Sequence, residues 1–183
     1  MTLTTARLTL RFPEEADAEA LRDYFVRNDE RFAPWEPQRS PSIDEHRAWI
    51  AARRGGRPSA REPLAFLAFE TGGAELAGAI ELDSFTFERP WSASINYTLD
   101  GSYEGRGLAT EALLAVIEYA FTGLGLELLS AYYHPANARS ERLLLRTGFT
   151  IVARTEVVPG FERLMRPNVL AQRRATPPAA RAR

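Results

Sequence analysis

The sequence predicts an α/β fold, a mixed sheet flanked by helices in the order βααβββαβαββ, and three observations carry that reading. Apolar residues recur at every second position in several short stretches, the period of a half-buried strand. Elsewhere they return every three or four positions, the period of a helix face. Residues 97–112 run from a strand through Gly105 and Gly107 straight into a helix, which places a β-α-β crossover among antiparallel hairpins.

The elements follow in order. Leu8, Leu10 and Phe12 alternate with Arg7, Thr9 and Arg11 in a first strand. Pro13 and Asp17 open a helix with Leu21, Tyr24 and Phe25 on one face. Residues 30–41, ERFAPWEPQRSP, hold three prolines and are expected to lack regular structure. Ser42 and Glu45 spell a capping box for a second helix, on which Ile43, His46, Trp49 and Ile50 share a face; Arg53 to Pro63 follows as a flexible loop. Strands at 64–70 and 75–82 are joined by Thr71-Gly72-Gly73-Ala74. Ala93, Ile95, Tyr97 and Leu99 alternate with Ser94, Asn96 and Thr98 in the next strand, and Asp100 to Gly107 turns into a helix reaching Phe121. Residues 126–133 read as a strand and 137–147 as a helix closed by Gly148 in the C′ position. A last hairpin is expected at 149–158 and 161–165, around Pro159-Gly160.

Composition then excludes several chemistries. A chain of 183 residues suggests one domain, expected over residues 1–170. At that size about 70% of the unfolded surface is buried, enough to fold without metal or disulfide. Residues 171–183 form a basic Pro/Ala/Arg tail with little to bury and are expected to be disordered. With no cysteine there is no disulfide, thiolate nucleophile or zinc ribbon. All 23 basic residues are Arg, which removes a Schiff base and a Walker A lysine. Two histidines, His46 and His134, make a multi-histidine metal centre implausible, so no metal is expected. The stretch Leu108 to Phe121 is interrupted by Glu111 and Glu118 and is too short to cross a bilayer, and residues 1–12 alternate rather than form a signal segment. A cytoplasmic protein without a membrane partner is the expectation. The last twelve residues hold four Arg and no acid, which leaves residues 1–171 with 19 Arg against 24 acids, a charge of −5. That acidic body argues against a nucleic-acid partner and mildly favours amines; monomer and homodimer both fit.

The informative stretch is the turn at 100–107. The first amides of the following helix have no internal acceptor and sit at the positive end of its dipole. Gly105 and Gly107 let a phosphate approach those amides closely, and Arg106 would neutralise a second phosphate or face solvent. The competing reading is a plain tight turn. A P-loop is excluded by the missing lysine, and the dinucleotide pattern by Thr110 in its third small position and by its late place in the chain.

Here the sequence resembles the GNAT superfamily of acetyl-CoA-dependent N-acetyltransferases over about residues 3–170. The segment Glu104-Gly105-Arg106-Gly107-Leu108-Ala109 matches that family's pyrophosphate motif, Arg/Gln-x-x-Gly-x-Gly/Ala, with Glu104 in place of Arg or Gln. The carboxylate of Glu104 is expected to turn away while its backbone serves. His134 to Ser140, followed by Leu143 to Phe149, looks like the family's Asn-x-x-Ser…Gly-Phe block, and Arg31-Phe32-Ala33-Pro34-Trp35-Glu36-Pro37 resembles the acceptor-side loop of RimJ/RimL-type enzymes, which acetylate protein N-termini. The resemblance implies acetyl-CoA as cosubstrate. It implies main-chain pairing of Thr98 and Leu99 with the pantetheine arm, a pyrophosphate held by Gly105, Arg106, Gly107, Leu108, Ala109 and Thr110, and Asn137 on the pantetheine. Asn137 is equally suited to cap a helix. Ser140 would donate a proton or hydrogen bond to the leaving sulfur, or be an ordinary first-turn serine.

Without cysteine a covalent acyl-enzyme through sulfur is impossible, so direct attack by the amine is the simple mechanism. An α-amine with a pKa of about 7.7–8.0 is roughly one-third neutral near pH 7.5, against about one part in a thousand for a lysine amine. A terminal amine therefore needs only a proton sink. Glu156, four residues before Gly160 where some RimL-type enzymes carry a glutamate, is the first candidate, and Glu81 competes; either would otherwise be a solvated strand carboxylate. Trp35 lines the acceptor pocket or plugs the core, His46 is structural, and His134 is a lesser candidate base. The expected function is acetyl transfer to the N-terminal amine of a protein or peptide. The alternatives are a small-amine acetyltransferase and a non-catalytic acyl-CoA-binding module.

Overall fold

The computed structural model describes residues 1–36, 39, 41–53, 62–155 and 168–176. Strands β1 (Thr2–Thr4) and β2 (Leu8–Arg11) come first, then helices α1 (Ala18–Arg27), α2 (Asp29–Phe32) and α3 (Ile43–Ala51). Strands β3 (Leu64–Glu70), β4 (Leu76–Thr86) and β5 (Ser92–Leu99) precede helix α4 (Leu108–Glu118). Strand β6 (Leu128–Tyr133), helix α5 (Ala138–Arg146) and strands β7 (Thr150–Thr155) and β8 (Asn168–Arg174) complete the chain. The strands form one sheet in the order β1-β2-β3-β4-β5-β6-β8-β7. Every neighbouring pair is antiparallel except β5–β6, the two strands that α4 connects.

Sequence pattern explains the layers. β3, LAFLAFE, is buried on both faces, as a central strand covered by helices on both sides must be. On one face Leu8, Leu10, Phe66, Ile80 and Ile95 pack under Leu108, Ala112, Leu113 and Val116 of α4. On the other, Leu67, Phe69, Leu76 and Ala79 pack against Leu21, Tyr24 and Phe25 of α1 and Ile50 of α3. His46 is buried there and stacks on Phe25 with centroids 5.9 Å apart, the structural role expected of it. Gly148, in the left-handed region, closes α5: its N–H donates to Leu145 O, and that of Phe149 to Leu144 O.

The structure departs from the sequence expectation in five places. Residues 2–11 are a hairpin of two strands, because the Thr5 side chain builds a turn without glycine or proline: its Oγ1 accepts from the Leu8 N–H at 2.9 Å. Within the proline-rich segment, Glu30–Phe32 belong to α2, since the backbone constraint of Pro34 begins only at the preceding residue. The Ser42/Glu45 capping box does not form: Ser42 holds the N-cap position without a side-chain cap hydrogen bond. The fourth helix is α-helical only to Glu118 and widens to a single π turn over Tyr119–Gly123.

The largest correction lies near the C-terminus, where a strand of the sheet runs over Asn168–Arg174, into the segment from 171 expected to be a disordered tail. β8 slots between β6 and β7, burying Val169 and Ala171 and pairing Ser130 with Gln172. Main-chain pairing on both edges outweighs the polarity of Gln172, Arg173 and Arg174. The expected strand at 161–165, the loop at 54–61, Glu156 and residues 177–183 lie outside the described residues. Among the described residues no helix is long and apolar enough to cross a membrane.

Candidate active site

A parallel pair that does not stay paired creates the site. β5 and β6 are in register only from Ser92–Ser94 to Leu128–Ser130, and beyond that the two strands separate. Among the described residues the β6-facing edge of Asn96–Leu99 therefore has no strand neighbour, which leaves main-chain donors and acceptors available to an extended ligand. Register assigns the faces: Tyr97 and Leu99 lie opposite Ile80 and Gly78 on the α4 side, and Thr98 lies opposite Ala79 on the α1–α3 side. A cleft of about 460 Å³ is lined from both faces, by Tyr97, Leu99, Leu108 and Ser140 on one and by Phe32, Trp35 and Thr98 on the other. It thus passes through the sheet at the opening between the strands. Gly78 forms part of its floor because β4 approaches β5 closely: a Cβ there would stand 2.7 Å from Thr98 O. An isolated glycine inside an apolar strand pattern is the sequence signal for such an approach.

The glycine turn is braced from below. Asp100, 5% exposed, ends β5 and gathers the chain around its carboxylate. Oδ1 accepts from Ser102 N at 2.9 Å and Ser102 Oγ at 2.7 Å, and Oδ2 from Asn28 Nδ2 at 2.8 Å and from the Arg27 guanidinium. Burial alone would raise its pKa, but these donors together hold it far below the usual carboxylate range. Further on, Gly105 and Gly107 have φ of +71° and +77°, a conformation that costs other residues about 1–2 kcal/mol. Gly107 is the N-cap of α4, and the amides of Leu108, Ala109 and Thr110 come before its first intrahelical bond, Glu111 N to Gly107 O. All three residues line the cleft. Glu111 anchors this helix start to the first hairpin, accepting from Thr5 Oγ1 at 2.6 Å and Arg7 Nε at 2.7 Å, while Arg7 Nη1 donates to Arg106 O at 2.7 Å.

Two charges depart from expectation. Arg106 is absent from the cleft wall: its guanidinium pairs with Glu70 and lies 5.5 Å from the Tyr103 ring centroid, because a nearby carboxylate outcompetes solvent. Glu104 does not turn away to solvent either. It lines the cleft and accepts from Arg31 and from Arg139 Nη1, the latter at 2.9 Å, and the Arg31 hydrogen bond is the main cause of its lowered pKa. Positive charge on this wall comes instead from Arg31, Arg139, Arg142 and Arg146, against the carboxylates of Glu36 and Glu104. Free amides, small residues and a cationic wall together fit a diphosphate.

The remaining predicted residues divide. Thr98, Leu99, Gly105, Gly107, Leu108, Ala109, Thr110, Asn137, Ser140 and Trp35 come together along the cleft. Asn137 caps α5, its Oδ1 accepting from Ser140 N at 3.1 Å. Trp35 stands 5.9 Å from the His134 ring, and His134 Nδ1 accepts from Ala136 N at 3.2 Å. Glu81 does not reach the wall; Arg53 holds its Oε1 at 2.9 Å. Glu36 was missed although it follows Trp35 directly. It faces the cleft, and burial, reinforced by the charge of Glu81 and opposed by Arg39, pushes its pKa up. Tyr97, read only as a strand residue, places its hydroxyl 2.6 Å from Ser140 Oγ.

Comparison with known proteins agrees with this geometry. The acetyltransferase (GNAT) domain family matches residues 7–150. The [ribosomal protein uS5]-alanine N-acetyltransferase of Escherichia coli (strain K12) is 31% identical over 149 residues, 80% of this chain and 77% of that protein. Among solved structures, Mycobacterium smegmatis RimJ in complex with CoA-disulfide has a TM-score of 0.78 at 24% identity, covering 92% of this chain and 82% of the other. RimL, the ribosomal L7/L12 α-N-protein acetyltransferase in complex with coenzyme A, has a TM-score of 0.77 at 21% identity, covering 95% and 98%. At these identities the two structures establish the fold.

Proposed function

Because this chain belongs to the acetyltransferase (GNAT) family and is an acetyl-CoA-dependent N-acetyltransferase, we propose that its acceptor is the α-amine at the N-terminus of a protein, a ribosomal protein in the first instance. The observation that carries the reading is the through-sheet cleft, with free helix amides on one side and Trp35 and Glu36 on the other, Trp35 lying against the His134 ring. A long, charged cosubstrate and an amine approaching from the opposite face would meet at the opening between β5 and β6. The 31% identity to an enzyme named for an N-terminal alanine supports this choice of acceptor.

The roles follow from the chemistry of each group. Thr98 and Leu99 would bond the pantetheine amides through their main chain, with Asn137 alongside. Gly105, Gly107, Leu108, Ala109 and Thr110 would present N–H groups to the pyrophosphate, with Arg31 and Arg139 supplying the charge that Arg106 does not. Bound there, acetyl-CoA supplies an activated acyl group. For the amine's proton we assign Glu36, which faces the cleft, ahead of Glu81, whose carboxylate is engaged by Arg53. A carboxyl with a raised pKa lies closer to an α-amine and is the better matched base. A cytoplasmic location accords with a ribosomal acceptor.

The test is release of free CoA from acetyl-CoA with a panel of N-terminal peptides and small amines. Turnover with peptides is the expected result. Turnover confined to small amines would move the acceptor to that class, and acetyl-CoA binding with no turnover on any acceptor would remove catalysis.

A further inference from the structure

We propose that Tyr97 is a positioning residue that aims the Ser140 hydroxyl hydrogen at the sulfur leaving the acyl group; this rests on the acetyl-transfer reading above. Tyr97 comes from β5 and Ser140 from the first turn of α5, so their hydroxyls bridge the two elements across the cleft, 2.6 Å apart. The Ser140 N–H is already given to Asn137 Oδ1, which fixes that turn and leaves only its hydroxyl adjustable.

Two hydroxyls hold two hydrogens, and only one can lie between the oxygens. If Ser140 donates to Tyr97, the phenol hydrogen is left with Ser140 O at 3.4 Å, a weak bond, and no serine hydrogen remains to serve the sulfur. If Tyr97 donates, the Ser140 hydrogen is released to the cleft. The phenol is by far the stronger acid and so the better donor, and the second arrangement wins as negative charge builds on sulfur.

Magnitudes decide whether a proton also moves. Burial pushes the Tyr97 hydroxyl up to about 12, with the Ser140 hydrogen bond opposing. A thiol of pKa about 8.5 is then a stronger acid by a factor of about 3,000, so net transfer from tyrosine to the leaving thiolate is uphill. Tyr97 therefore stays protonated. The balanced step is attack of the neutral amine nitrogen on the acyl carbon, N–C bond formation, and C–S cleavage with the electron pair leaving on sulfur. The amine's proton goes to carboxylate or water. The thiolate, bonded by Ser140 Oγ–H while it forms, takes its proton from solvent.

The test is a double-mutant cycle on the full chain with Tyr97→Phe, Ser140→Ala and both together, reading kcat and the KM for acetyl-CoA, with a melting temperature for each variant. The expected result is a kcat about tenfold lower for Tyr97→Phe, a KM within twofold of wild type, and no further loss when Tyr97→Phe is added to Ser140→Ala. Equal factors in both backgrounds, or a change confined to KM, overturn the assignment. Ser140→Ala turning over at the wild-type rate overturns it even if Tyr97→Phe does not fold. A wild-type enzyme that releases no CoA from acetyl-CoA indicts the underlying function instead.

Discussion

Replacing Asp100 by Asn separates the scaffold of the glycine turn from its chemistry. The carboxylate receives two hydrogen bonds from Ser102, one from Asn28 and an ion pair from Arg27, and the isosteric amide can accept only on one side. Breaking a buried pair by removing one partner costs about 3–5 kcal/mol. The Arg27 side chain is 41% exposed and regains water, which favours the lower end, about 3 kcal/mol. For a chain of this size that lowers Tm by roughly 6–12 °C. The pH dependence has a definite sign. The folded-state pKa lies below the unfolded value near 3.9, so the contribution is complete above that value and fades as pH falls toward the folded one. Thermal unfolding of both proteins, followed by circular dichroism at pH 7 and pH 3.5, is the assay. The gap in Tm should be largest at pH 7 and narrower at pH 3.5. A gap under 2 °C at pH 7, or one that widens in acid, would refute the role given to this carboxylate.

Further outcomes follow from the cleft. Glu104→Gln removes a negative charge from the phosphate end and releases Arg31 and Arg139, so CoA should bind about three- to tenfold tighter in calorimetry at low salt, with the two proteins converging at high salt. Weaker binding would mean that Glu104 is needed to hold the arginines in place. In kcat/KM against pH with a peptide acceptor, Glu36→Gln should flatten the alkaline rise while Glu81→Gln leaves it intact. Flattening in Glu156→Gln alone would transfer the proton acceptor to that residue.

Much of this was legible beforehand because it depends on local rules. Alternation placed the strand at 93–99, an apolar run ahead of Gly72-Gly73 placed the one at 64–70, and the glycines placed a helix start after Gly107 and a helix end at Gly148. β8 was not legible: Val169 and Ala171 are too few to announce a strand, and their pairing between β6 and β7 is visible only once both neighbours exist. Arg106 and Glu104 were misjudged for the same kind of reason. Their partners, Glu70, Arg31 and Arg139, lie 35 to 73 positions away in the chain.

The sequence by itself determined the central strands β2 to β6 and the helices α1, α3, α4 and α5, the glycine turn before α4, the absence of thiol and lysine chemistry, and the family, because each is written in residue types at short spacing. Tertiary structure alone decided that β5 and β6 part after three residue pairs, that Tyr97 meets Ser140, and that Glu36 rather than Glu81 faces the cleft. The physical reason is that the direction of a side chain on a strand is set by its register with neighbours, and the position of a charge by which opposite charge folding brings within reach.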